Sequence, residues 1–303
     1  MHPESIDSRP TPGEAIQLEP GLRVILADNP SPMTHWGTNT YLLGTEELLV
    51  IDPGPNDTAH LTAIMRAIGP AKLAKIVVTH AHLDHSPLSK ALKEKTNAEI
   101  YAFGDALSGR SKIMDQLAKS GLMGGGEGLD LAFQPDHLLA HNDTIDFGNE
   151  TLRVLHTPGH LGNHISLAWN DVCFTGDHIM GWASSLVSPP DGDLTDFMRS
   201  CDLLAESPWR VFYAGHGAPI TNPKERLEWL IAHRKSREAE ILTLLAQQPA
   251  TAADLAETIY IDVNPKLLGA ATRNVLAHLV DLYGRNLVRP QQQFDSKAIF
   301  ELI

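Results

Sequence analysis

A layered α/β domain followed by a small winged helix is the fold this 303-residue sequence predicts, and three observations predict it. Between Gly21 and Ile220, short apolar runs of strand character alternate with helical segments. Several of those runs end in Asp or His beside Gly or Pro, as in IDPG, VVTH, TPGH, TGDH and AGHG. Beyond Asn222 the texture changes to helices and then to two short strand-like runs. The expected division is residues 1–222 and 223–303.

The strand-like runs come in the order RVILA, TNTYLLG, ELLVIDPG, KIVVTH, EIYAF, LRVLHTPGH, ISLAW, VCFTGD and RVFYAGH. TAHLTAIMRAIG and SPLSKALKEKT supply intervening helices, the second opened by Ser86 as N-cap and Pro87 at the first helical position. The segment from Gly124 to Thr144 is glycine-rich without a period and reads as a surface loop or a flap near the site. Gly181 to Phe197 reads as a second loop, within which Asp191 to Asp196 lack the full Ca²⁺-loop pattern and are expected as solvated turn residues. In the last part Leu227, Leu230, Ile231, Ile241, Leu244 and Leu245 keep helical spacing. PATAADLAETIY follows with Thr251 as its N-cap, then NPKLLGAATRNVLAHLVDLYG, then NLVRPQQQFDSKAIFELI as a hairpin. Three helices and a β-hairpin are the winged-helix order.

With 43% hydrophobic residues the chain can bury a substantial core. The N-terminus alternates charge and proline where a signal peptide needs an apolar stretch, and no run of 18 apolar residues occurs, which predicts a cytoplasmic protein without a membrane span. The net charge of −13 repels nucleic acid at long range. Its excess is confined to residues 1–222, where 14 Lys and Arg face 27 Asp and Glu; residues 223–303 carry ten of each. Cys173 and Cys201 are too few for a metal knuckle or disulfide framework and read as buried thiols.

The densest chemistry lies in VVTHAHLDHS. His80 and His82 stand two apart, so on an extended strand end their side chains share a side and can clasp one ion. Asp84 and His85 follow once the chain has begun to turn, and can serve a second. Imidazoles with a carboxylate suit zinc in the first place, with iron or manganese as alternatives. His160, Asp177 and His216, each at another strand end, are further candidates.

At these residues the sequence resembles the metallo-β-lactamase superfamily, through DPG (Asp52), THAHLDH (His80, His82, Asp84, His85), TPGH (His160), TGDH (Asp177) and AGHG (His216), in order over nearly all of residues 20–220. The resemblance implies an αββα sandwich with two divalent metals at one edge of its sheets. It implies that His80, His82 and His160 hold the first, that Asp84, His85 and His216 hold the second, and that Asp177 bridges them. Asp52 is expected to orient a histidine ligand. His85 stands where true β-lactamases of this class carry another residue, which places the chain with the glyoxalase, lactonase, thioesterase and nuclease branches. Together with the winged helix, the sequence is similar to the β-lactamase-like protein 2 group, whose members include a single-stranded RNA endonuclease and fungal thioesterases acting on acyl carrier proteins.

The implied activity is that of a dinuclear metal-dependent hydrolase using a metal-bridging hydroxide on an ester, thioester or lactone, with Asp84 orienting that hydroxide and receiving its proton. His164 is the further candidate for an acid or substrate contact, with packing as its other reading; His178 ranks below it. Trp182, Ser184 and Ser185 are expected to shape a pocket for a small-molecule or acyl substrate. The alternative is an endoribonuclease cleaving single-stranded RNA, with Arg234, Lys235 and Arg237 as a basic cluster. Two further classes are a one-iron persulfide oxidase and a DNA reader using Lys266, Arg273 and Asn274 of the third helix. The winged helix is expected instead to pack on the metal domain and cover part of the site or a homodimer interface.

Overall fold

The computed structural model describes residues 8–262, 264 and 267–303. Strands β1 (Ala15–Glu19), β2 (Leu22–Leu26), β3 (Asn39–Gly44) and β4 (Glu47–Ile51) form an antiparallel meander. Helix α1 (Thr58–Ile68), β5 (Lys72–Val77), α2 (Leu88–Thr96) and β6 (Glu99–Ala102) then add two parallel strands through helical crossovers. Helix α3 (Lys112–Lys119) precedes β7 (His137–Leu138), which completes a seven-stranded sheet. The second sheet is built from β8 (Thr144–Phe147), β9 (Glu150–His156), β10 (Ile165–Trp169) and β11 (Val172–Gly176), and after α4 (Leu194–Ala205) β12 (Val211–Ala214) pairs parallel to β11.

Apolar residues on the facing sides of both sheets, among them Leu43, Ile51, Val154, Phe174 and Tyr213, fill the space between them. Ile64 and Leu92 pack α1 and α2 on the outside of the first sheet, and Phe197 and Leu204 pack α4 on the outside of the second. This is the αββα sandwich. Asp52 follows the end of β4, His80 to His85 follow β5, His160 follows β9, Asp177 follows β11 and His216 follows β12. Because β4 pairs parallel to β5, and β11 to β12, four of these strand ends open toward one rim.

The C-terminal region consists of α5 (Pro223–Leu245), α6 (Ala252–Ile259), α7 (Leu268–Gly284) and the antiparallel pair β13 (Val288–Pro290) and β14 (Phe300–Leu302). Thr251 caps α6 through a reciprocal pair of bonds with Asp254, satisfying otherwise orphaned backbone donors. Helix α5 belongs to two cores. Leu227 and Leu230 pack with Phe197 and Leu204, whereas Ile241 and Leu245 pack with Leu279 and Phe300. Met114 and Leu117 of α3 join the winged-helix core, and Ala277 of α7 joins the sandwich core. Each fully buried leucine at such a junction contributes about 2 kcal/mol, so the winged helix is fixed to the sandwich.

The expected strands are present, the helix–helix–helix–hairpin order holds, and both cysteines are buried free thiols. Helices α3 and α4 and the strands β1, β7 and β8 are additional. Asp191 to Asp196 are not a solvated turn: Asp191 is buried against Arg110 at 2.7 Å, and Asp193 caps α4 by accepting from Thr195 N–H. Ser86 does not cap α2; its hydroxyl donates to the Asp130 carboxylate at 2.7 Å. Among the described residues no helix is long and apolar enough to cross a membrane.

Candidate metal centre

Strand β5 stops at Val77, three residues before His80, so the motif is carried by the loop that follows and not by the strand end itself. That loop still turns both rings inward: His80 Nε2 and His82 Nδ1 lie 3.0 Å apart, and His160 Nε2 lies 3.1 Å from the same His82 nitrogen. The outer nitrogens of two of these rings are fixed by the chain. His80 Nδ1 meets the Thr79 hydroxyl at 3.0 Å, and His160 Nδ1 donates to the Leu186 carbonyl at 2.9 Å. Fixing the outer nitrogen sets which inner nitrogen presents a lone pair.

A second cluster adjoins the first. His216 Nε2 lies 3.2 Å from Asp84 Oδ2 and 3.1 Å from Asp177 Oδ2, while His85 Nε2 lies 3.3 Å from Asp84 and 3.4 Å from Asp177 Oδ1. Asp177 also reaches toward the three-histidine cluster, 3.7 Å from His160 Nε2 and 4.0 Å from His80 Nε2. Asp52 is the organiser of this half. Its Oδ2 accepts from His85 Nδ1 at 2.9 Å and from the Thr79 hydroxyl at 2.7 Å, and its Oδ1 accepts from Thr79 N–H at 2.7 Å. Thr38 donates to Asp84 Oδ2, and His216 Nδ1 donates to the Gly37 carbonyl. Gly215 has no alternative, because a Cβ there would sit 2.3 Å from Asp177 Oδ1 and 2.8 Å from His85.

The two clusters differ in charge. Burial, reinforced by the neighbouring rings, lowers His80 well below the ordinary imidazole range and His82 to about 3, leaving neutral ligands. In the second cluster burial opposes the charged forms, yet mutual attraction prevails. Asp84 and Asp177 fall well below the usual carboxylate range beside His85 and His216, and the carboxylates lift His216 to about 10.

The donor set fits two divalent cations. The ligand atoms of His80, His82 and His160 lie within 4.8 Å of one another, as do those of Asp84, His85, Asp177 and His216, and all seven residues are buried. Asp84 Oδ1, His85 Nε2 and Asp177 Oδ1 are buried without a hydrogen-bond partner. Native interiors rarely leave such atoms unpaired, and a cation is the partner that matches a lone pair from each. Imidazole and carboxylate together suit zinc, iron or manganese.

His164 requires a correction. It is fully buried, its Nδ1 is paired with the Thr157 hydroxyl at 3.0 Å, and its Nε2 accepts the Asp177 backbone N–H at 3.2 Å. Both ring nitrogens are spent inside the protein, so the ring supports the loop that carries Asp177 and has no free nitrogen to offer. His178 is likewise buried, packed on Phe197 with Nε2 3.6 Å from Cys201 Sγ.

Trp182, Ser184 and Ser185 do line a cavity of about 220 Å³ that has His82, His160 and Asp177 at its floor. Its far wall is the winged helix, through Tyr260, Leu267, Ala270, Ala271 and Asn274. No sequence motif marked Leu267, Ala270 and Ala271, because alanine and leucine on a helix carry no signal beyond helical spacing.

The basic cluster is dismantled by the fold. Arg234 is buried and donates to the Ser184 and Ser185 carbonyls at 2.8 and 2.7 Å and to Asn274 at 3.1 Å. Arg237 pairs with Glu240 at 2.6 Å and lies over the Tyr260 ring. Of the proposed DNA readers, Arg273 donates to the Met123 carbonyl, Asn274 accepts from Val187 N–H, and Lys266 lies outside the described residues. Helix α7 therefore turns Arg273 and Asn274 toward the sandwich.

Comparison with known proteins agrees with this geometry. Residues 33–216 match the metallo-beta-lactamase superfamily and residues 251–296 match the beta-lactamase associated winged helix domain. A beta-lactamase-like protein 2 homolog of Drosophila melanogaster is 33% identical, with 90% of this chain and 91% of that protein aligned. An atrochrysone carboxyl ACP thioesterase of Passalora fulva is 29% identical over 80% of this chain and 69% of its own length. Among solved structures, a metallo-beta-lactamase family protein of Thermus thermophilus superposes with a TM-score of 0.76 at 26% identity, covering 95% of this chain and all of the other.

Proposed function

The chain belongs to the metallo-β-lactamase superfamily and carries a metal-dependent hydrolase architecture, and on that premise we propose that it is a dinuclear hydrolase, zinc-loaded in the first place, acting on an ester, thioester or lactone. The observation that carries this reading is the proximity of two buried groups of possible ligands, Asp177 of one lying 3.7 Å from His160 of the other, with His82, His160 and Asp177 lining one cavity. A pair of divalent ions there would supply Lewis acidity and make a water molecule acidic enough to attack near neutral pH.

The chain's own residues do the rest. Asp84 is held by Thr38 through Oδ2, which fixes how its carboxylate would face the attacking water whose proton it is to receive. Asp52 and Thr79 fix His85 and His80 so that the lone pairs converge without reorganisation. With His164 turned inward, a departing alkoxide or thiolate takes its proton from solvent. The thioesterase name of a relative supports an acyl substrate, while the burial of Arg234 removes part of the cationic platform an RNA substrate needs.

The test is one metal-loaded preparation assayed on a neutral acyl thioester and on single-stranded RNA, beside Asp84→Ala. Thioester turnover that is lost in the variant is the expected result. RNA cleavage lost in the variant, with the thioester untouched, would replace this reading by the endoribonuclease.

A further inference from the structure

The cavity has one wall from each part of the chain, and both walls are largely apolar away from the ligand clusters. Met180, Trp182 and Leu186 stand on the sandwich side, and Tyr260, Ala270 and Ala271 stand on the winged-helix side. Among its described lining residues there is no lysine or arginine, and the acid that lines it away from the ligand clusters is Glu127, so away from those clusters no side chain offers a counter-charge to a phosphate or a carboxylate. An unpartnered, buried acceptor, Asp177 Oδ1, lies at the floor. The reacting end of a ligand is thus assigned to the ligand clusters, and its remaining part to an apolar space.

The width of that space is fixed by polar crosslinks between the walls. Arg234 reaches from α5 to the Ser184 and Ser185 carbonyls, Asn274 of α7 accepts from Val187 N–H at 3.2 Å, and Arg273 donates to the Ser188 hydroxyl at 3.1 Å. A wall held in this way discriminates by size, because a larger guest cannot push it back at small cost. An apolar cavity of about 150 Å³ takes a benzene ring, and about 220 Å³ takes one substituted ring or a chain of similar bulk.

We propose that α7 of the winged helix, through Ala270 and Ala271, sets the size limit for an uncharged apolar group of roughly one substituted ring that the substrate carries beside the ligand clusters. The proposal rests on the hydrolase reading for its reaction but not for its binding. The winged helix is then a specificity wall, and alanine is the residue that leaves the space open. Filling position 270 narrows the cavity, and trimming Leu267 widens it.

Binding and turnover test it separately in the full-length, metal-loaded protein. Calorimetric titration with acetone, acetophenone and 9-acetylanthracene gives the size profile without any reaction. Acetophenone is expected to bind best, and Ala270→Phe, which fills a half-buried position, to weaken it about tenfold or more while acetone changes less than about twofold. Leu267→Ala is expected to shift the profile the other way and admit the three-ring ketone. Melting temperatures show whether each variant is folded, and the two opposite variants keep the test decisive if one is not. The benzoyl-to-acetyl ratio of kcat/KM on thioesters should fall in Ala270→Phe by the same factor as the binding ratio. An identical size profile in the wild type and both variants overturns the proposal. A size profile that follows the variants with no ester or thioester turned over keeps the wall and discards the hydrolase reading.

Discussion

The rim of the sandwich and the wall made by the winged helix meet at one cavity but are built in opposite ways. The rim concentrates seven buried His and Asp side chains within a few loops, most of them held by a neighbour such as Asp52, Thr79 or the Leu186 carbonyl. The wall is largely apolar on its cavity side, with Asn274 at its edge, and is tied to the sandwich by Arg234, Arg273 and Asn274. Reactivity needs donors fixed to fractions of an ångström, which short loops between strands provide. Selectivity needs a surface whose side chains can change without moving those donors, and a separate helix provides that.

The largest test of this contrast falls on the rim. Asp177→Ala removes the carboxylate that lies between the two clusters, 3.1 Å from His216 and 3.7 Å from His160, and should lower kcat/KM by about 10³-fold or more, equivalent to about 4 kcal/mol of transition-state stabilisation. The melting temperature of the chelated protein should fall as well, since Asp177 is the buried counter-charge of His85 and His216, so rates are compared at a temperature where both forms are folded. A variant retaining a tenth of the wild-type rate would show that the rim is not a shared centre.

On the wall the corresponding change is structural. Arg234→Ala leaves the Ser184 and Ser185 carbonyls without the Arg234 donor and Asn274 with Val187 N–H alone, and should cost about 3 kcal/mol in denaturant unfolding. Its kinetic signature should be a raised KM with kcat changed far less. Equal losses in both would place Arg234 in the machinery of the rim.

Each region also buries a neutral histidine away from the metal ligands. His60 on α1 meets the Thr40 hydroxyl and is lowered by burial to about 4, while His278 on α7 lies well below its ordinary value for the same reason. A folded-state value below the unfolded one near 6.5 means that the unfolded chain takes up the proton first. Stability is therefore full above pH 6.5 and falls as the pH drops toward 4, by up to about 3 kcal/mol for His60. Denaturant unfolding at pH 7 and pH 4.5 should show a smaller difference in His60→Gln than in the wild type. An unchanged difference would mean that His60 is not titrating.

The smallest effect belongs to Lys235, the exposed member of the basic run. Lys235→Ala should alter stability by less than about 0.5 kcal/mol and leave thioester turnover as it was. A loss of RNA binding in that variant would restore a role for the cluster.

The same contrast explains what the sequence made legible. Asp84, His85 and their partners announce themselves because polar residues are seldom placed at strand ends beside glycine without a task, and the order of five motifs carries the sandwich with them. Asp52 was readable for the same reason. His164 was not, since its spacing from His160 is the same whether the ring turns toward substrate or, as here, toward the Asp177 backbone. Arg234 reads from sequence as one member of a basic cluster because a helix of mixed polarity conceals which side meets another domain; the tertiary contact with Ser184 and Ser185 buries it. Ala270 and Ala271 carry no chemistry of their own, and their meaning lies in the space they leave. The additional helix α4 had a readable start in Asp193, whose carboxylate caps it, but it was lost in a stretch dense with proline and glycine.

Activity measured against metal equivalents tests the central claim most directly. Metal-free protein is titrated with zinc while thioester hydrolysis and bound metal are followed together. If the two clusters act as one centre, turnover should stay low through the first equivalent and rise as the second is bound. Full activity at one equivalent per chain, unchanged by a second, would contradict the account.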